Sequence, residues 1–148
     1  MTRTQRELLD EFMKRADVLT NQLIYSAFYV AERLCHEQVD TAHVVMVMLA
    51  DPGICRPYAG KFLKDGYTFN ELRDHLEDTY EGWCEGGTEK QLTPDAWKMF
   101  ERAIAYAEGR GPTRQIHTFD IGRVIEAITK NGGNKALTSY KQRLVLAS

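Results

Sequence analysis

Cys35, His36, Glu37 and His43 fall within nine residues of one another, and all four are metal-ligand types. Thiolate, imidazole and carboxylate closing on one ion would make a zinc site. Their spacing fits no ligand pattern, because a loop between His36 and His43 breaks the one-turn interval that puts two histidines on one helix face. Cys35, Cys55 and Cys84 are odd in number, widely spaced and free of any C-x-x-C pair. They read as reduced side chains that pack as small hydrophobes. Nucleophilic catalysis has no better footing: Ser26 and Ser139 fall in predicted helices, and no G-x-S-x-G elbow occurs. Carboxylate pairs such as Asp74 with Glu77, or Glu77 with Glu81, suit a solvated helix face. A G-x-x-x-x-G-K-[ST] phosphate loop is absent, and the glycines of "KNGGNK", 130–135, follow a helix instead of opening one. The expectation is a chain that is not an enzyme and that uses no metal and no cofactor.

Function then rests on what the elements build. "VVMVMLA", 44–50, is apolar throughout and by itself fits a buried strand as well as a buried helix. Other segments are plainer. Leu23, Ala27, Ala31 and Leu34 form a helical stripe, widened by Ile24, Phe28 and Cys35. "TQRELLDEFMKRA" ahead of it is amphipathic too. Thr68 and Glu71 have capping-box spacing, and Leu72 and Leu76 follow one turn apart. "LTPDAW" places Thr93 as an N-cap and Pro94 at the first helical position. "EGWCEGGTEKQ", 81–91, reads as a linker.

The two sides of that linker resemble each other. With one inserted residue, Val39-Asp40-Thr41 faces Ile116-His117-Thr118, and Val44, Val47 and Met48 face Ile121, Val124 and Ile125. "LT" at 19–20 resembles "LT" at 92–93. Because Ile121, Val124, Ile125 and Ile128 follow a helical stripe, a duplication makes the first run a helix as well, buried all round and capped by Asp40 or Thr41. The predicted fold is all-α. It is a single domain over 1–148, a pseudo-two-fold double repeat with repeat one at about 19–81, a linker at about 82–91 and repeat two at about 92–148.

"SAFYVAERLCHEQVDTAHVVMVMLADPG", continued by "YAGKFLKDGYTFNELRDHLE", resembles the N-terminal domain of Clp/Hsp100 unfoldases and is closest to ClpA-type sequences. The resemblance covers about 19–141 and implies a compact fold of about eight helices. It also implies a non-catalytic module that binds adaptor proteins, substrate proteins or Clp ATPase and protease subunits. His43 is implied to hydrogen-bond at a helix start. The partner surface is expected at helix ends and the groove between repeats, on Thr41, His43, Tyr67, Phe69, Thr118 and Asp120. Some family members bind phosphoarginine through an acidic residue between the Thr and His of this motif. That slot holds Ala42 in the first repeat and Phe119 in the second, where Asp120 replaces the His, so such binding is expected to be lost or weak. Tyr58, Trp83 and Trp97 are further aromatics, divided between core and contact surface. His75 and His117 read as ordinary polar positions.

Charge and hydropathy bound the alternatives. At 148 residues and 43% hydrophobic, the chain can bury a real core, and no apolar run approaches a membrane span. The N-terminus turns polar where a signal peptide needs an apolar stretch, which predicts a cytoplasmic protein. Residues 1–81 carry 9 basic and 14 acidic side chains, whereas 92–148 carry 9 and 5. The basic half lacks an Arg-rich run, so nucleic acid is not the expected partner. Two rival readings are a free-standing accessory or decoy regulator of a Clp protease and a helical nucleic-acid-binding regulator.

Overall fold

The computed structural model describes residues 3–80 and 90–147. They form eight α-helices: α1 Gln5–Arg15, α2 Val18–Arg33, α3 Thr41–Ala50, α4 Arg56–Lys64, α5 Phe69–Thr79, α6 Pro94–Arg110, α7 Thr118–Lys130 and α8 Lys135–Ala147. A short 3₁₀ turn, Pro52–Ile54, separates α3 from α4. The all-helical expectation holds. Most of the predicted linker, with Trp83 and Cys84, lies outside the described residues.

The ambiguous apolar run is a helix sealed in the core. Every residue from Thr41 to Leu49 is buried, and α3 packs against α2, α4, α5, α6 and α8. The amphipathic N-terminal segment is a separate helix, α1, which lays Leu8 and Phe12 against α6, with the Phe12 ring edge-on to Phe100 at 4.8 Å. On α7, Ile121, Val124, Ile125 and Ile128 face inward as their spacing predicts.

Two parallel pairings cross between the halves and make the pseudo-two-fold relation explicit. β1, Gln38–Val39, precedes α3 and pairs with β2, Gln91–Leu92, which precedes α6. In mirror fashion Ile116, before α7, bridges Ala16, before α2. Each repeat therefore joins the start of its second helix to the start of the other repeat's first. Two sequence readings change as a result. The last residue assigned to the linker, Gln91, belongs with Leu92 to β2, a strand too short to leave a periodic signal. The counterpart of Thr93 is Asp17, because both are N-caps of first helices. Thr20 of the matched "LT" pair lies inside α2 and hydrogen-bonds back to Asp17.

Helix ends set the angles between elements. α2, α4 and α7 each close with a left-handed residue, Cys35, Gly66 and Gly132. The next amide in each case reaches back to a carbonyl in the last turn, with His36 on Ala31, Tyr67 on Phe62 and Gly133 on Ile128. This turn swings His36 into the interior. The Thr68–Glu71 box is half made: Thr68 accepts the Glu71 amide, but the Glu71 carboxylate takes the Tyr140 hydroxyl at 3.0 Å.

α4 and α7 cross in close contact at Gly122, where a Cβ would stand 2.4 Å from Tyr58 Cδ2. Gly122→Ala forces either the Tyr58 ring or the crossing to shift. The expected cost is about 1–3 kcal/mol of stability, read as a lower urea midpoint at unchanged slope. An unchanged midpoint would show that the crossing yields freely.

Candidate functional site

The polar residues that drew attention in the sequence converge on the two cross-repeat junctions. At the first, Asp40 caps α3 and Thr93 caps α6. The Thr93 hydroxyl donates to Asp40 Oδ1 at 2.5 Å, while the Ala42 amide donates to Oδ2 at 3.2 Å. Burial pushes the Asp40 carboxyl up to about 6 against those donors. At the second junction Asp17 caps α2, and its Oδ2 lies 2.7 Å from His117 Nδ1. Burial raises the Asp17 carboxyl, but the Thr20 and His117 hydrogen bonds outweigh this and hold it below the usual range.

The junctions match in geometry and exchange their chemistry. In α3 the cap is acidic and the third helical residue is His43, whose Nδ1 accepts the Asp40 amide at 2.9 Å. In α7 the cap is His117 and the third residue is Asp120, whose Oδ2 accepts the His117 amide at 2.9 Å. In both, the third residue's side chain accepts the cap amide; the His117 ring makes no cap bond of its own and turns to Asp17 instead. His117 is thus itself the cap position.

His43 begins a directed chain. Since its Nδ1 accepts, its proton sits on Nε2, which donates to His36 Nδ1 at 2.9 Å. His36 then carries its own proton on Nε2, 3.2 Å from Glu77 Oε1. Burial holds both rings below the ordinary imidazole range, His43 at about 3, with His36 beside it adding to the effect. The Lys90 ammonium donates to the His36 carbonyl at 2.5 Å. These two histidines knit α3, α5 and the strand entry together. Among the described residues no group of three or more Cys, His, Asp or Glu side chains is placed to hold a metal. Cys35 is exposed and Cys55 buried, and both are free thiols.

Of the six residues expected at a partner surface, Thr41, His43, Tyr67, Thr118 and Asp120 are buried, and Phe69 is half-buried against the core. Thr41, His43, Thr118 and Asp120 lie in helix first turns, and Tyr67 and Phe69 pack on the core. The Thr41 hydroxyl is buried with no hydrogen-bond partner among the described residues. Tyr67 donates to the Leu137 carbonyl at 3.2 Å. Asp120 also lies 3.6 Å from the Arg110 guanidinium. Tyr58 is buried, and Trp97 packs partly buried against the core. His75 is buried as well, with Nε2 2.7 Å from Ser139 Oγ, although its neighbours Asp74 and Glu77 are exposed.

The exposed apolar side chains are others. Val18 and Leu19 follow the Asp17 cap, and Phe119 follows His117 by two residues, its ring 5.1 Å from that of Tyr58. Tyr25 and Tyr29 stand one turn apart on α2, each more than 60% exposed. The stripe read on α2, through Leu23, Ile24, Ala27, Phe28 and Ala31, leaves Tyr25 and Tyr29 outside it.

A family model for the Clp repeat (R) N-terminal domain matches residues 17–138. The chain belongs to this Clp N-domain family. The match opens at the Asp17 cap, so α1 lies ahead of it, and it does not separate ClpA-type members from others. No curated protein matches the chain. Domains of this family are protein-interaction modules of Clp ATPases. This Clp N-domain contains no helix long and apolar enough to cross a membrane among its described residues.

The buried ionisable groups make opposed contributions to stability in acid. Unfolded His43 takes up a proton near pH 6.5 and folded His43 only near 3, so stability is lost as pH falls through that window. Folded Asp40 binds its proton near pH 6 and the unfolded residue near 3.8, so falling pH there favours the fold. Asp40→Asn keeps an acceptor oxygen and removes this compensation. Urea melts between pH 6 and 4 are expected to show the variant losing stability more steeply, by up to about 1.4 kcal/mol per pH unit. Parallel profiles would mean that Asp40 does not titrate in that range.

Proposed function

We propose that this Clp N-domain is a non-catalytic recognition module of a cytoplasmic AAA+ Clp unfoldase or protease system, binding adaptor or substrate proteins. Family membership carries the reading. The polar inventory supports it, because the histidines and carboxylates of the two junctions are engaged in capping and in hydrogen bonds within the fold.

The two pseudo-equivalent junctions differ in access, and this favours one of them as the partner-facing end. Asp40, Thr41, His43 and Thr93 are sealed in the core. The Asp17–His117 pair is partly exposed, and Val18, Leu19 and Phe119 flank it. An apolar set around one polar pair suits a protein contact, with the imidazole fixing orientation and the apolar side chains supplying burial. Thr118 and Asp120 act here by shaping the start of α7 beneath that surface.

Phosphoarginine is not the expected ligand. Ala42 is buried, Phe119 supplies no charge, and Asp120 already faces Arg110. Calorimetry with free phosphoarginine should give no saturable heat. A one-site isotherm lost on Asp120→Asn would reverse this. For the main reading, the purified protein should capture a Clp ATPase, its peptidase or an adaptor from native lysate, identified by mass spectrometry. Phe119→Asp combined with Val18→Ser should reduce that capture about tenfold or more, with the helical circular dichroism unchanged. Capture of no Clp component, together with salt-dependent retention of nucleic acid on filters, would move the protein to the nucleic-acid class.

A further inference from the structure

α6 and α7 bring two arginines onto one tyrosine. Tyr106 sits one turn before the end of α6, and Arg110 closes that helix. Arg123 comes from the second turn of α7. The Arg110 guanidinium carbon lies 4.3 Å from the Tyr106 ring centroid and that of Arg123 5.1 Å, and both side chains donate to the Tyr106 hydroxyl. Stacking on a ring fixes the plane of a guanidinium and costs it little hydration. Yet two like charges here share one neutral acceptor. The carboxylate set against them is Asp120, 3.6 Å from Arg110, with a side chain 7% exposed. Its other oxygen already accepts the His117 amide. Arg123 is exposed and has no ion pair among the described residues. Each guanidinium presents five N–H donors, and a phenol and one carboxylate oxygen engage few of them.

One turn before Arg123, on the same face of α7, stands Phe119, 48% exposed and backed by the Tyr58 ring at 5.1 Å. Lys61, 6.0 Å from the Tyr58 ring centroid, is held by Glu126 and adds no open charge. We infer that this strip of α7 reads an extended segment of an adaptor or substrate protein that carries an apolar residue and an Asp or Glu two positions apart. The inference rests on the recognition reading above and names the chemistry of its partner. The spacing follows from geometry. Phe119 and Arg123 are separated by about 6 Å along the helix axis, four residues at about 1.5 Å each. Alternate side chains of an extended chain point the same way at intervals of about 6.6 Å. The apolar side chain covers Phe119, while the carboxylate takes a two-bond fork from Arg123 with Arg110 beside it. Covering Phe119 also excludes water from those bonds, which strengthens them. The charge follows from the balance. Two guanidiniums less the Asp120 carboxylate leave one positive charge, which a single carboxylate offsets and a doubly charged phosphate exceeds.

The probe is the end-blocked peptide Ser-Glu-Ser-Phe-Ser-Glu-Ser, which presents the pair in either chain direction. It is titrated into the isotopically labelled full chain and read by NMR at the Nε–H signals of Arg110 and Arg123 and at the Phe119 amide. Saturable shifts of all three are expected. Affinity should fall about tenfold for Arg123→Gln, and equally for a peptide with Gln in place of both Glu. Arg123 is exposed, so its substitution should leave the spectrum away from this strip unchanged. Absence of saturation, or binding that neither change weakens, would overturn the proposal. So would a phosphoserine version of the peptide that binds about tenfold more tightly, or a single-stranded oligonucleotide that displaces the peptide at lower concentration, since phosphate would then be the ligand. If the peptide fails while Clp components are still captured, the strip is not the reader and the recognition reading stands. If capture fails too, both fall.

Discussion

A helix buried on every side must begin without water. The first amides of α3 have no intrahelical acceptor, and each one left unpaired in the interior would cost about 1–3 kcal/mol. Asp40 and His43 answer this within the turn, and Thr93 answers the charge that Asp40 brings. Much of the fold follows from that requirement. Thr93 reaches Asp40 only because β2 runs beside β1, and β2 is held in turn by Gln5, whose side-chain amide bonds both the Lys90 carbonyl and the Leu92 amide. α1 is thereby tied to a junction it does not itself form.

The second junction meets a milder demand and solves it with the same parts rearranged. Acid and imidazole trade places between cap and third residue, and the cross-repeat partner changes from a hydroxyl to a carboxylate. Where the pair is sealed, a neutral Thr hydroxyl meets the buried carboxylate. Where it is partly wet, an imidazole meets the carboxylate instead. A diverged duplication has kept the hydrogen-bond topology while letting solvent access choose the residues.

Much of this was legible in the residues. The stripe of Ile121, Val124, Ile125 and Ile128 settled a run that periodicity alone left ambiguous, and Thr93-Pro94 marked a helix start to the residue. The misses share a cause: they concern which polar groups are buried, a tertiary property with little local trace. His75 sits among charges in sequence, yet Leu72, His75 and Leu76 occupy one face at helical spacing, a signal that was present and outweighed by its neighbours. His36 gave no such signal, because a left-handed turn at Cys35, a residue type that seldom adopts one, redirects it inward. The shared "LT" pair misled the repeat register because identity outranked role, and the cap lay three residues earlier at Asp17. The surface expected on Thr41 and His43 met the same limit: a motif fixes a helix start but not the side from which it is approached.

The crossed pairings also constrain how the chain can fold. Residue 16 meets 116, and 39 meets 92, so each half holds one strand of each junction. Each half can cap its own helices, but the bonds that join the two strand entries form only when both halves are present. The contacts that seal α3 come from distant parts of the chain, which delays their reward until long loops have closed. Such interleaving disfavours a stable half-folded species and makes unfolding a single event. A body that opens all at once or not at all offers few partly unravelled ends to a protease.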